Sequence, residues 1–89
     1  MLEREIMITN KLGLHARASA KFVQLVEKFD ADVRVKRGNE VVGGTSIMGL
    51  MMLAAGPGTS ITIEASGNQA TEVVDALAAL VSGRFTEDE

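Results

Sequence analysis

The residues most capable of chemistry stand together at Gly13-Leu14-His15-Ala16-Arg17, a stretch that contains the only histidine of the chain. Helical spacing of apolar residues begins at Ala16, so His15 falls at a loop-to-helix junction, with Arg17 in the first helical turn. Such a turn has backbone N–H groups without intrahelical partners and a partial positive charge. An anion held on His15 would therefore meet the amides of Ala16 and Arg17.

A phosphoryl group that passes to an imidazole needs a neutral ring nitrogen, in-line access and compensation of the charge on its oxygens. His15 and the helix N-terminus supply the first two, and the planar guanidinium of Arg17 suits phosphate oxygens. The stretch is thus a candidate site of phosphoryl transfer. The residues alone leave another interpretation open, in which His15 is a solvated or capping histidine and Arg17 is a solubilising charge.

A second cluster combines a hydroxyl with methionines. Ser46 precedes a short apolar segment and is predicted to cap its helix, and on the residues alone capping explains this serine completely. The large apolar side chains that follow cannot all face one core from a helix of two turns, so some are expected on a surface that fits several partners. The burial preference of methionine assigns about half of them to the core. They are Ile47, Met48, Met51 and Met52.

Segments with strand and helix periodicity alternate along the chain. The predicted elements are a strand over 3–8, a helix over 16–29 with Lys21, Gln24 and Lys28 opposite its apolar stripe, a hairpin over 33–42 turning at Gly38-Asn39, a short helix from Ser46 to about Ala55 closed by Gly56-Pro57-Gly58, a strand over 61–65, and a helix opened by Gly67-Asn68 and ended by Gly83. The order βαββαβα predicts an α+β open-faced sandwich, with a four-stranded antiparallel sheet covered by three helices on one face and solvated on the other.

The composition excludes several functional classes. The chain has no cysteine and one histidine, which removes disulfides, thiolate chemistry and structural zinc sites, and we expect no metal and no cofactor. The net charge is -3 and the only aromatic residues are three phenylalanines, so nucleic acid is not an expected partner. Glycine-rich nucleotide loops are absent, and a serine triad would have to use the only histidine without an organised pocket.

Length and terminal composition bear on domain number and location. Residues 1–89 are expected to form a single domain with one core. The first residues include acids where a signal peptide needs a basic region, and the longest near-apolar run, residues 47–55, is far shorter than a membrane span. We therefore expect no membrane insertion and a cytoplasmic location.

Two motifs resemble those of one known family. Asn10-Lys11-Leu12-Gly13-Leu14-His15-Ala16-Arg17 is similar to the phosphorylation site of HPr, the histidine-containing phosphocarriers of the bacterial phosphoenolpyruvate-dependent phosphotransferase system, and Thr45-Ser46-Ile47-Met48-Gly49 is similar to their regulatory site. The similarity covers essentially the whole chain. It implies that enzyme I, charged by phosphoenolpyruvate, phosphorylates His15 at Nδ1, that Arg17 compensates the phosphate charge, and that the group then passes to an enzyme IIA.

The same resemblance implies a regulated, monomeric carrier that is not an enzyme. Ser46 matches the target of an HPr kinase/phosphorylase, and the docking surface shared by enzyme I and enzyme IIA matches Ile47, Met48 and Met51. Met51-Met52 and the acidic end Glu87-Asp88-Glu89 are similar to carriers of proteobacteria with incomplete sugar systems. That similarity favours a branch that regulates nitrogen or carbon metabolism over one that serves sugar uptake.

Ala18 stands where the family pattern usually has proline. A proline would fix φ in the first turn without loss of a helix hydrogen bond, so Ala18 gives up some preorganisation of the transfer geometry and keeps an extra amide.

Without the resemblance, the order βαββαβ also fits a ferredoxin-like module. Such a module binds either a regulatory ligand or RNA, and the RNA-binding form needs aromatic strand residues that this chain lacks. A ligand-binding module should dimerise and show a pocket, whereas a phosphocarrier should be a monomer with an exposed His15.

Overall fold

The structure is a computed structural model and describes residues 1–86. Its elements are β1 (Leu2–Met7), α1 (Ala16–Val26), β2 (Asp32–Arg37), β3 (Glu40–Gly43), α2 (Ile47–Met52), β4 (Ser60–Ser66), α3 (Ala70–Ser82) and a final 3-10 turn (Arg84–Thr86). This is the predicted order βαββαβα. The acidic end Glu87-Asp88-Glu89, which is expected to be solvated, lies outside the described residues.

The strands form one antiparallel four-stranded sheet in the order β1-β4-β2-β3. Alternation along each strand decides which side chains face the helices, as the sequence pattern predicts. In the register, Ile6 lies opposite Ile61, and Val35 lies opposite both Ile63 and Val42. This apolar layer covers the helix-facing side of the sheet, which confirms the predicted fold class.

The core lies between that layer and the helices. Helix α3 packs on β1 and β4, while α1 packs on α2 and α3. The apolar stripe of α1 is buried as predicted, with Ala18, Phe22 and Val26 among its buried residues. The largest fully buried apolar side chains include Phe22, Phe85, Ile8, Leu50, Ile61, Ile63 and Leu77.

Two helices are shorter than the apolar pattern predicts. Helix α1 ends at Val26, because the next residues tighten into i→i+3 bonds, in which Phe29 N–H donates to Val26 O over 3.1 Å. The Phe29 side chain still packs against the core. An apolar residue at this position therefore indicates a buried side chain and not a continuation of the helix. Helix α2 ends at Met52 instead of continuing to about Ala55, because Ala54 takes a left-handed conformation with φ 53 that stops the helix.

The segment after α3 closes the open end of the core, which the sequence pattern did not predict. Phe85 is fully buried, although both Arg84 and Phe85 have left-handed φ values, of 57 and 56. Lys21 is half-buried, whereas the sequence pattern places it opposite the apolar stripe of α1. The reason is that its Nζ donates a hydrogen bond to Phe85 O over 2.7 Å. One charged side chain of α1 therefore holds the segment after α3 in place.

The face of the sheet opposite the helices, which is predicted to be solvated, carries exposed and half-buried charged side chains. Glu64 pairs with Lys36 over 3.3 Å and is itself only 12% exposed. Hydrogen bonding with Glu3, its partner across β1 and β4, and then with Lys36 holds the pKa of the Glu64 carboxyl below its ordinary value of 4.5. A cavity of about 150 Å³ on this face is lined by Met1, Asp32, Arg34, Glu64, Ala65 and Ser66.

Candidate functional site

The loop before α1 is held by hydrogen bonds within the loop and to the segment that follows α2. Buried Asn10 donates through Nδ2 to Gly13 O over 2.8 Å, and Gly13 N–H donates back to Asn10 O over 3.2 Å. Leu14 N–H donates to Ala55 O over 3.0 Å, which joins the loop to the segment that follows α2. The loop therefore has a defined shape where it meets the helix.

Gly13 allows the close approach that this joint requires. It has φ +64, and a Cβ at this position would lie 2.2 Å from Ala55 O. Only glycine combines that conformation with that contact, because other residues disfavour positive φ and carry the Cβ atom. The glycine of the motif is thus explained by backbone packing, and it places the residues immediately before the helix.

His15 is the N-cap residue of α1. It is half-buried, its backbone is extended at φ -77 and ψ -179, and its carbonyl accepts the first helical bond, from Ser19 N–H, over 2.9 Å. The ring itself caps the helix, because Nδ1 accepts a hydrogen bond from Arg17 N–H over 3.3 Å. An accepting Nδ1 carries a lone pair and no proton, so the geometry corresponds to the neutral ring protonated at Nε2.

The geometry of His15 is compatible with both interpretations that the sequence leaves open, a helix-capping histidine and a phosphoryl acceptor. The lone pair that caps the helix is also the pair that a nucleophile uses. The amide of Arg17 points at the atom where an anionic group would be attached, and the exposed first turn around Ala16 and Arg17 leaves space for it. The Arg17 side chain is exposed on the same turn.

Two polar residues support this loop through contacts that the sequence pattern does not predict. Ser19 is fully buried, and its Oγ donates to Leu14 O over 3.2 Å, next to His15. Asn10 is fully buried as well. A small hydroxyl residue within the apolar stripe of α1 is the sequence feature that points to a buried contact of Ser19. For Asn10, the feature is an asparagine that precedes a glycine in a turn.

Helix α2 presents its apolar residues to solvent more completely than predicted. Ile47 and Met51 are each 40% exposed, and Met48 and Met52 are each 69% exposed. The expectation that the core takes about half of them is wrong, because Leu50 alone fills the core-facing side of this helix, which is shorter than predicted. The result is a contiguous apolar surface on a helix that packs against α1.

Both ends of α2 are fixed by polar contacts. Ser46 is the N-cap, as predicted, and its Oγ accepts a hydrogen bond from Gly49 N–H over 3.0 Å. At the other end Arg37, from β2, donates through a guanidinium nitrogen to Leu53 O over 3.0 Å. The Arg37 contact joins residues far apart in sequence, and no local pattern marks it.

No group of histidine, cysteine, aspartate and glutamate suited to a metal ion occurs among residues 1–86. No helix in that part of the chain is long and apolar enough to cross a membrane.

A sheet covered on one side by helices, with one histidine capping a helix beside an exposed apolar helix, suits a small carrier protein that presents an anionic group on that histidine. Comparison with known proteins identifies the family to which the chain belongs. Residues 2–83 match the family model described as the PTS HPr component phosphorylation site. The chain belongs to the HPr family, the phosphocarriers of the phosphotransferase system, and is a phosphocarrier protein and not a catalytic enzyme.

Relatives and solved structures agree with this family. The chain is 52% identical over its full length to phosphocarrier protein HPr of Cupriavidus necator, all of which is covered. It is 43% identical to phosphocarrier protein NPr of Shewanella violacea, over 97% of this chain and 94% of that one. An HPr structure from Thermoanaerobacter tengcongensis superposes with a TM-score of 0.94 at 39% identity, with both chains fully covered. Another from that organism, described as a dimer, gives 0.77 at 40% identity, over 98% of this chain and all of that one.

Family membership decides between the fold alternatives left open by the sequence. The resemblance to HPr is confirmed, so the ferredoxin-like ligand-binding module is not the correct interpretation of the βαββαβ order.

Proposed function

We propose that this phosphocarrier holds its phosphoryl group on Nδ1 of His15, accepts it from enzyme I and passes it to an enzyme IIA. The observation that carries the proposal is the hydrogen bond of 3.3 Å from Arg17 N–H to His15 Nδ1. This bond keeps the proton on the other ring nitrogen, so Nδ1 has the lone pair that attack on phosphorus requires.

The transfer step exchanges one bond to phosphorus for another. The Nδ1 lone pair forms the new P–N bond, while the bond to the donor breaks and its electron pair returns to the donor. The amide of Arg17, which donates to Nδ1 before transfer, then donates to a phosphoryl oxygen. The partial positive charge at the start of α1 stabilises the resulting dianion, and the exposed Arg17 guanidinium supplies further charge-assisted hydrogen bonds.

The assignment is tested by labelling with enzyme I and radiolabelled phosphoenolpyruvate. His15→Ala should abolish labelling, and the parent product should be acid-labile and base-stable, as expected for a phosphoramidate. His15→Asn is the matched variant, because asparagine is a strong N-cap that retains the helix start without the nucleophile. Labelling of both variants to the parent level would show that the acceptor lies elsewhere.

The docking surface is proposed to be the exposed face of α2, with Ile47, Met48 and Met51 in contact with enzyme I and enzyme IIA. The support is their exposure together with the position of α2, which packs against α1 and joins the loop of His15 through the Leu14–Ala55 bond. Met48→Asp should raise the KM for phosphorylation by enzyme I, with little effect on kcat, because it places a charge in an apolar contact.

Ser46 is proposed as a regulatory site phosphorylated by an HPr kinase/phosphorylase. Its exposed hydroxyl lies at the start of α2, next to Ile47 and Met48. A phosphate there would be stabilised by the helix amides but would have to be desolvated against a docked partner. Authentic phosphoserine protein should therefore fold normally and accept phosphate from enzyme I with a higher KM. Unchanged transfer kinetics would leave Ser46 as a helix cap only.

The chain is proposed to act in the cytoplasm as a monomer, in a branch that regulates nitrogen or carbon metabolism. The likeness to an NPr protein supports the branch. Phosphate transfer from the labelled carrier to a nitrogen-type enzyme IIA, compared with transfer to a sugar-type enzyme IIA, tests it, and gel filtration tests the monomer against the dimer described for one relative.

A further inference from the structure

The thioethers of α2 are open to small molecules from solvent. Met48 and Met52 are each 69% exposed and Met51 is 40% exposed. None of them belongs to the core, where α2 is anchored by Leu50 and the residue after the helix, Leu53. The chain has no cysteine, so no thiol competes with these sulfur atoms for an oxidant.

We propose that Met48, Met51 and Met52 form an oxidation-sensitive modification site that controls docking. The inference rests on the docking surface proposed above. A peroxide is the co-reactant: the thioether sulfur attacks one peroxide oxygen, the S–O bond forms and the O–O bond breaks. With hydrogen peroxide, the second oxygen takes up the proton of the transferred oxygen and leaves as water. Sulfur is oxidised by two electrons to the sulfoxide, and the peroxide is reduced by the same two.

The sulfoxide changes the surface of α2 and leaves its supports in place. Each S=O group is a strong polar acceptor that has to lose water when a partner's apolar surface covers it, which weakens docking. The contacts that hold the helix involve other atoms, namely the Ser46 cap, the Leu50 side chain and the Arg37–Leu53 bond. Oxidation should therefore reduce the rate of phosphorylation at limiting carrier concentration without unfolding the protein.

Met7 provides an internal control for the position of the oxidised sulfur. It is 55% exposed, so peroxide reaches it as well. Met7 alternates with buried Ile6 along β1, which places its side chain on the face of the sheet opposite the helices. Its oxidation should leave docking unaffected.

The experiment treats three proteins with hydrogen peroxide: the parent, Met7→Leu, and the combined variant Met48→Leu/Met51→Leu/Met52→Leu. Peroxide is removed before enzyme I is added, sulfoxides are located by peptide mass spectrometry, and each KM is compared with that of the same protein untreated. We expect the KM of the parent and of Met7→Leu to rise about tenfold, because unpaired polar groups are costly in apolar contacts. The KM of the combined variant should not respond to peroxide, and methionine sulfoxide reductase should restore the parent.

Met48→Asp separates failure of this inference from failure of the docking surface. If Met48→Asp raises KM while a fully oxidised parent does not, the docking surface stands and the oxidation switch is overturned. If neither change affects KM, the docking surface itself is wrong. A rise in KM on oxidation of the combined variant would place the sensitive group outside α2 and would overturn the inference. Thermal unfolding of the oxidised parent should match that of the untreated protein, and a large loss of stability would assign the effect to unfolding.

Discussion

Replacement of Gly13 by alanine tests whether the joint between the loop before α1 and the segment after α2 positions His15. The new Cβ would lie 2.2 Å from Ala55 O and 2.8 Å from Gly56 Cα, both backbone atoms. Neither can rotate away as a side chain could, so the two segments have to separate. Separation lengthens or breaks the Leu14–Ala55 hydrogen bond and displaces the N-cap of α1.

The expected loss of stability has three parts. The left-handed backbone, with φ +64, costs about 1–2 kcal/mol with a side chain present. The steric overlap adds about 1–3 kcal/mol, as overpacking does in a core. Loss of one backbone hydrogen bond adds about 1 kcal/mol. We therefore expect Gly13→Ala to lower the free energy of unfolding by about 3–6 kcal/mol, a large part of the stability of a domain this small.

Gly38→Ala is the matched control. Gly38 has a nearly equal φ of +60, and a Cβ at that position meets nothing within 4 Å. The control carries the same conformational cost and the same reduction of unfolded-state entropy, so the difference between the two variants isolates the contact and should be about 2–4 kcal/mol.

Urea unfolding of both variants measures the stability difference, and labelling by enzyme I measures the effect on transfer. Gly38→Ala should be phosphorylated at the parent rate, whereas Gly13→Ala should be phosphorylated more slowly even under conditions where it is folded. A Gly13→Ala protein that shows no cooperative unfolding, beside a folded control, agrees with the proposed contact. Equal losses of stability in the two variants, with equal transfer rates, would refute the positioning role of the joint.

Three further outcomes are expected. Ser46→Ala should lower stability by about 1 kcal/mol in thermal unfolding, because it removes the cap of α2, whereas Ser46→Asp should keep it. Phe85→Ala should cost about 3–5 kcal/mol in urea unfolding, because Phe85 is fully buried. Hydrogen bonding with Glu3 and then Lys36 lowers the pKa of Glu64 in the folded protein. The resulting stability is present above pH 4.5 and is lost as the pH falls through the folded-state pKa. Lys36→Met should raise that pKa, as an NMR titration of the carboxyl can show, and should weaken the acid-induced loss.

The predictable part of the fold is the part that short-range periodicity encodes. Alternation in the strands and the stripe of α1 predict the sheet and its covered face, because each pattern reports which side of an element is buried. The C-terminal end of α2 and the burial of Phe85 escape such patterns. Ala54 stops α2 because the chain must turn to bring Ala55 O to Leu14 N–H, and that requirement comes from a loop far away in sequence.

The candidate site divides in the same way. His15 is identifiable as a candidate because a histidine at the start of a helical stripe can cap the helix and can also act as a nucleophile. Its supports, Asn10 and Ser19, are short polar residues that become meaningful only when their carbonyl partners at Gly13 and Leu14 are known. Sequence patterns indicate which side of a regular helix or strand is buried, but they do not report which buried polar atoms meet.

Helix α2 shows why the contacts that maintain the fold and the proposed docking contacts can change independently. A six-residue helix is too short to be stable by itself, so its position depends on tertiary contacts. Those contacts are the Ser46 cap, the buried Leu50 side chain and the bond from Arg37 to Leu53 O, and none of them involves an exposed apolar side chain. We therefore expect substitution or oxidation on the exposed face to alter affinity for partners at little cost in stability. Loss of an anchor should instead move the whole docking face relative to His15, so that affinity and stability fall together.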